Sequence, residues 1–350
     1  MYSLDSHKLH LHPGRVAAWQ NDQVIYPLTV EISSTNACNQ NCIFCAFDYR
    51  RSCAYLNHQE LHKLAIGIGM FMEYGTQSVH FGGEGEPLLN VYLKETIRHL
   101  HAERIHIGVT TNGTCKNTTD LLPYLSWLRF SVNASTPELY QKIHGVDGKH
   151  IEEIYTTIEA CVKRKKEKSL PTTIGVQCLW LQDNDHDIDV LARKVKDLGV
   201  DYFSLKPYSH HPQSKRSLPI TRMQSAERIG RLLGPLRTDT FEPSIRLNAV
   251  CDTREKKDYT HCPAASFFAF VAADGGVYPC AQYVGNHDFC FGNIRLQTWR
   301  EVMFSTRRHT ILGYLRYEHD TTTCRQPCRL NEANRYLHNL SNLRGEDFFL

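Results

Sequence analysis

From about residue 26 onward, short runs of β-branched and aromatic residues alternate with longer stretches in which apolar positions recur every three or four residues. The runs Tyr26 to Ser33, Ser78 to Gly82, His106 to Thr111, Leu128 to Asn133, Thr172 to Leu179 and Tyr202 to Tyr208 predict six strands. Between them, Asn57 to Met72, Leu93 to His101 and His150 to Arg164 predict amphipathic helices. In the last of these, Ile151, Ile154, Tyr155, Ile158 and Val162 form one apolar stripe. The basic run from Arg164 to Lys168 reads as its solvated end. Strands alternating with helical crossovers imply a parallel sheet, and six strands are too few to close an eight-stranded barrel. After Tyr208 the period is lost. Ser209 to Pro219 is polar and turn-rich, as a linker or an active-site loop would be, and its His210-His211 pair reads as solvated. A helix from Arg222 to Leu236 follows, and then an aromatic strand, Phe267 to Ala272, runs into an Asp274-Gly-Gly276 turn.

Composition narrows the classes. The chain has 350 residues, 41% hydrophobic and 22% charged, enough to bury one large core or two unequal ones. Forty Lys and Arg against 37 Asp and Glu leave a net charge of +3, which argues against a nucleic-acid partner. The longest apolar stretches, such as Ser266 to Ala273, fall far short of the roughly 20 residues that cross a bilayer, so no membrane partner is expected. The first ten residues contain no apolar signal core, which points to the cytoplasm. Thirteen cysteines in a reducing compartment call for a role other than disulfides.

Cys38, Cys42 and Cys45 lie directly after the first expected strand, in a polar, Asn-rich loop with little apolar surface to pack against. Three thiolates suit a [4Fe–4S] cluster with one iron left open, because full protein ligation takes four; zinc is the competing metal. Farther along, Cys262, Cys280, Cys324 and Cys328 could supply a complete set of four, with Cys290 as a substitute or fifth candidate. A zinc ribbon is the alternative for this group.

Cys38-x3-Cys42-x2-Cys45, with Phe44 before the third cysteine, resembles the radical S-adenosylmethionine (SAM) superfamily. Supporting motifs follow the next three strands. Gly82 to Pro87 resembles the glycine-rich segment that holds the SAM amino group, with Gly83, Gly85 and Glu86 as its candidate contacts and Glu84 where the commoner form has glycine. Thr110-Thr-Asn112-Gly113 matches the usual turn, and Ser131 and Asn133 are similar to the ribose-contacting pair. Cys262-x12-Gly275-x4-Cys280 resembles the opening of the SPASM and twitch extensions of that superfamily. The gap to Cys324-x3-Cys328 is similar to that of 2-deoxy-scyllo-inosamine dehydrogenase and favours the shorter, twitch-like form.

The resemblance implies an α/β fold: a partial (β/α)6 TIM-type barrel with a small C-terminal β-hairpin and helix domain for an auxiliary cluster. It implies SAM and two [4Fe–4S] clusters as cofactors, and an electron donor of the flavodoxin or ferredoxin type. Cleavage of SAM at the open iron would yield a 5′-deoxyadenosyl radical that abstracts a hydrogen atom from substrate. The expected divisions are an N-terminal segment (1–25), the barrel (26–210), a linker and helix (211–255), the auxiliary domain (256–335) and a tail (336–350).

Lys206 and Tyr208, at the C-terminal end of the sixth strand, are the candidates for handling substrate or a proton. About 25 residues precede the first strand, too few for a separate peptide-recognition domain, so the expected substrate is a small hydroxylated metabolite such as a sugar or aminocyclitol. Oxidation of a secondary alcohol is the favoured reaction. Cys251, outside every spacing pattern, is a candidate hydrogen-atom donor and would make the enzyme an epimerase. A radical peptide maturase and a zinc-binding interaction protein are the remaining alternatives.

Overall fold

The β-branched runs form strands. The computed structural model describes residues 6–70, 75–219, 224–246 and 257–342. The strands are β1 (Thr29–Ile32), β2 (Ser78–Phe81), β3 (His106–Thr111), β4 (Trp127–Ser131), β5 (Thr173–Trp180), β6 (Tyr202–Pro207), β7 (Glu242–Ile245), β8 (Phe268–Val271), β9 (Gly276–Tyr278) and β10 (Gly292–Asn293). They make one sheet in the order β10-β9-β8-β1-β2-β3-β4-β5-β6-β7. Pairing is parallel from β8 through β1 to β7, and antiparallel in the β8-β9-β10 meander.

The six expected strands are its contiguous centre. Two parallel strands extend it. The sequence Glu-Pro-Ser-Ile of β7 carries no β-branched run, and its proline suits the edge that it occupies. The aromatic strand expected within the auxiliary domain is β8, and it pairs in register with β1, Thr29 opposite Phe268 and Ile32 opposite Val271. Barrel and hairpin therefore share one sheet.

Helices α1 (Pro13–Gln20), α2 (His58–Gly69), α3 (Leu93–Ala102), α4 (Pro137–His144), α5 (His150–Glu167), α6 (Ile188–Asp197) and α7 (Gln224–Leu233) alternate with the strands. The apolar sides of α2 to α7 and the outer strand faces form the main core, which includes the entire expected stripe of α5, while α1 packs in a separate cluster through Val16 and Trp19. Local signals set their ends. Asn57 and Glu60 form a reciprocal capping box at the start of α2, and α4 begins at a Thr136-Pro137 cap and ends at Gly145 with φ +64°.

On the central strands Glu31, His80, Thr110, Arg129, Gln177 and Lys206 each follow directly on an apolar residue. The two-residue period sends the flanking Val30, Ile32, Val79, Phe81, Leu128 and Phe130 into the helix-covered core. The six polar residues line a cavity of about 280 Å³ on the other face.

Candidate functional site

The first cysteine loop runs from β1 over the C-terminal ends of the strands. Asn41 N and Ile43 N donate to His144 O and Ile143 O, zipping the loop to the end of α4. A Cβ on Gly145 would lie 2.6 Å from Asn41 O, so the approach requires glycine. His144 sits beneath the loop. Its Nδ1 lies 2.9 Å from Gln40 Oε1 and 3.4 Å from Cys42 Sγ, its Nε2 faces Asn133 Nδ2 at 3.2 Å, and its ring stacks on Tyr140. Phe44 meets the same ring edge-on at 5.7 Å. Burial lowers the His144 pKa to about 3, so the ring is neutral.

Cys38, Cys42 and Cys45 are partly exposed free thiols. Burial raises the pKa of Cys42, and Cys38 and Cys45 raise it further as neighbouring thiolates. Arg51 Nη2 approaches Cys45 Sγ at 3.6 Å, and Arg216 and Ser214 clamp the loop through the carbonyls of Asn41, Cys42 and Cys45. Ser209 to Pro219 therefore lies across the cysteine loop. Its His211 departs from the sequence expectation: the side chain is buried, contacts Ala281 O at 3.1 Å through Nε2 and stacks on Tyr49. Tertiary packing, absent from the local pattern, accounts for the difference.

The glycine-rich turn packs against this loop. A Cβ on Gly85 would stand 2.2 Å from Ala37 O and 2.7 Å from Thr35 O, and Glu86 N donates to Ala37 O. Gly83 adopts φ +92° beside Phe270. Burial raises the Glu86 pKa to about 7, although its carboxylate accepts hydrogen bonds from Asn112 N, Thr111 Oγ1 and Leu88 N. Asn112 also donates to Asn39 Oδ1 of the cysteine loop. Asn133 is fully buried and its side chain is engaged by His144 and Leu179 N, which leaves Ser131 as the more accessible member of that pair.

Glu84 was unexplained by the sequence. It is buried, accepts from Arg50 Nε at 2.9 Å and from Ala273 N at 2.7 Å, while Arg50 Nη2 pairs with Asp274 at 2.6 Å. One carboxylate thus joins the glycine turn, the segment after the cysteine loop and the Asp-Gly hairpin.

The second cysteine group lies across the cavity. Cys262, Cys280, Cys324 and Cys328 all line it, and Cys280 is within electrostatic reach of the other three. Burial and the neighbouring thiolates push Cys262 to about 12 and Cys324 to about 11. Four such thiols deprotonate together only around a cationic centre. Cys290 Sγ donates to Gly292 O at 3.2 Å and lies beside Tyr278.

Family models agree with this geometry: the radical SAM superfamily matches residues 32–195, and the SPASM iron-sulfur cluster-binding domain matches residues 262–329. The chain belongs to the radical SAM superfamily. Its two domains imply SAM and two [4Fe–4S] clusters as cofactors. This radical SAM protein is 28% identical to a probable GTP 3',8-cyclase of Methanocaldococcus jannaschii over 209 residues, 55% of this chain and 69% of the relative. Over 340 residues it is 20% identical to the tungsten-containing aldehyde ferredoxin oxidoreductase cofactor-modifying protein of Pyrococcus furiosus, covering 85% and 86% of the two chains. Its fold matches Streptococcus suis SuiB bound to S-adenosylmethionine with a TM-score of 0.68 at 15% identity, over 95% of this chain and 79% of that one. No helix among the described residues is long and apolar enough to cross a membrane.

Of the radical SAM protein's remaining candidates, Lys206 lines the same cavity as Cys262, Cys280, Cys324 and Cys328. Burial, then Arg246, Arg325 and Arg129, lower its pKa to about 7. Tyr208 is buried in a small apolar cluster with Ile143 and Leu181, against Ile43 and Phe44 of the cysteine loop, and its hydroxyl lies 3.3 Å from His210 Nδ1. Cys251 lies outside the described residues. Arg129, Arg246 and Glu31 were not singled out from the sequence. The available signal was the one polar residue set against apolar neighbours in each strand.

Proposed function

We propose that this radical SAM enzyme oxidises a secondary alcohol of a small hydroxylated metabolite to a ketone in the cavity between its two cysteine groups. The observation that carries the reading is the position of Lys206, a buried amine with a pKa lowered to about 7, in a cavity that is also lined by Ala46, Phe47 and Gly83 and by Cys262, Cys280, Cys324 and Cys328. Cys38, Cys42 and Cys45 would hold the cluster that binds SAM, and Cys262, Cys280, Cys324 and Cys328 the auxiliary cluster. When bound, these groups supply a hydrogen-atom abstractor on one side of the cavity and a one-electron acceptor on the other.

The chain's own residues do the rest. Gly85 lets the turn pack against the cysteine loop, and Gly83, Glu86 through its remaining acceptor position and Ser131 would hold SAM at its amino group and ribose. Lys206 Nζ accepts the hydroxyl proton of the substrate. An electron donor of the flavodoxin or ferredoxin type would reduce the first cluster. SuiB is known bound to its precursor peptide SuiA, but at this identity the likeness extends to the fold, and a fold does not carry a substrate.

The test uses anaerobically reconstituted enzyme with SAM, reductant and a panel of sugars, cyclitols and hydroxy acids in heavy water. The expected product is a carbonyl compound lighter by two hydrogens, with no deuterium taken up at the reacting carbon. An isomeric product carrying one solvent deuterium would make the enzyme an epimerase.

A further inference from the structure

Two buried side chains direct polar groups at the thiols of the second cysteine group. Asn334 stands on a C-terminal helix (Asn331–Ser341). Its Oδ1 accepts from Ala264 N at 2.8 Å, and its Nδ2 lies 3.4 Å from Cys262 Sγ. A backbone N–H can only donate, so the amide oxygen has to face Ala264 and the NH2 group has to face the sulfur. The amide has one orientation.

His319 meets Cys324 in the same way. Its backbone is held on both sides, N donating to Tyr314 O at 2.9 Å and O lying 2.9 Å from His261 Nδ1. Its ring Nε2 lies 3.2 Å from Cys324 Sγ and 3.1 Å from the hydroxyl of Tyr283, which also reaches that thiol. A thiolate bound to iron has no proton to give, so the sulfur is the acceptor whether imidazole or phenol supplies the hydrogen. The backbone amides of Ala265 and Gln282 add hydrogen bonds to Cys262 and Cys280. Cys262, Cys280 and Cys324 are therefore each met by at least one donor.

We propose that Asn334 and His319, with Tyr283, are positioning residues that raise the reduction potential of the auxiliary cluster. Reduction places further negative charge on the sulfurs, and hydrogen-bond donors held against them in a buried site stabilise it. This deepens the oxidation reading and rests on it. Once the carbon has lost its hydrogen atom and the hydroxyl its proton to Lys206, one electron has to leave the substrate before the carbonyl can form, and a raised potential lets the auxiliary cluster receive it.

The experiment reads a potential and needs no substrate. Holoenzyme carrying both clusters is reduced stepwise under anaerobic conditions and followed by electron paramagnetic resonance, the signal that changes on adding SAM belonging to the first cluster. In His319→Phe the iron content should hold, and at a fixed potential the oxidised form of the auxiliary cluster should be favoured roughly tenfold more, a midpoint lower by about 59 mV for one electron. The midpoint of the first cluster should not move. His319→Gln returns an N–H to the place of Nε2 and should recover most of the shift. Asn334→Asp keeps the acceptor for Ala264 N, removes the donor to Cys262 and should also lower the midpoint; it decides the matter if His319→Phe loses its cluster. Unchanged midpoints in His319→Phe and Asn334→Asp would overturn the proposal. So would a His319→Gln midpoint as low as that of His319→Phe, because packing would then account for the shift, or loss of the second cluster's iron from all three variants, because the residues would then hold the site rather than tune it. An epimerised product combined with the expected shifts would sink only the oxidation reading.

Discussion

The behaviour of Lys206 comes from its position. On a solvated helix the same residue would be an ordinary cation, but at the end of β6 it faces a cavity already holding Arg246, Arg325 and Arg129, and burial adds the largest share of the downward shift to about 7. As a proton acceptor it must be neutral, so turnover should climb with pH through about 7 and then level off. Folding linkage has the same sign: between about 7 and the ordinary 10.5 the unfolded chain holds a proton that the folded one has released, and the contribution of Lys206 to stability rises with pH across that window. Lys206→Met should lower product formation by about 100-fold or more while SAM is still cleaved to 5′-deoxyadenosine. A profile flat from about pH 6 to about pH 8, or a Met variant with normal turnover, would remove Lys206 from the mechanism.

Between elements, the decisive contacts are made by backbone. The glycine turn after β2 and the cysteine loop after β1 touch so closely that Gly85 has no room for a methyl group, its Cβ position lying 2.2 Å from Ala37 O. The obstacle is main chain, so relief requires moving the loop that carries Cys38. Gly85→Ala is expected to lose about half of the bound iron and most 5′-deoxyadenosine formation, while the iron held by the second cysteine group persists. Full iron with normal SAM cleavage would show that the contact is dispensable. Glu84 acts on the same scale, because its links to Arg50 and Ala273 tie this corner to the β8-β9 hairpin.

At the scale of the molecule, β8 joins the sheet beside β1 and brings Cys262, Cys280, Cys324 and Cys328 to the cavity lined by the polar residues of the central strands. The reconstituted protein should hold about eight irons. Replacing Cys38, Cys42 and Cys45 together with Ala should leave about four, as should Cys280→Ala, whereas Cys290→Ala should leave the full number. Iron counting with zinc analysis checks all three. Loss of iron in Cys290→Ala, or zinc in place of the second cluster, would break the assignment of four ligands.

The alternation of strand and helix, the apolar stripe of α5 and the spacing of Cys38, Cys42 and Cys45 were readable without coordinates, because each is a local pattern set by backbone period or by loop length. The meeting of Cys262, Cys280, Cys324 and Cys328 around one cavity was not. It depends on which loops meet after β8 has paired with β1, a contact between segments more than 200 residues apart. The roles of Glu84 and His211 were hidden for the same reason, since their partners are distant in the chain. Glu31, His80, Thr110, Arg129, Gln177 and Lys206 lie between these cases. Each was visible as a polar residue following an apolar one within a strand, but only the curvature of the parallel sheet brings them to one cavity, where their charges act on one another.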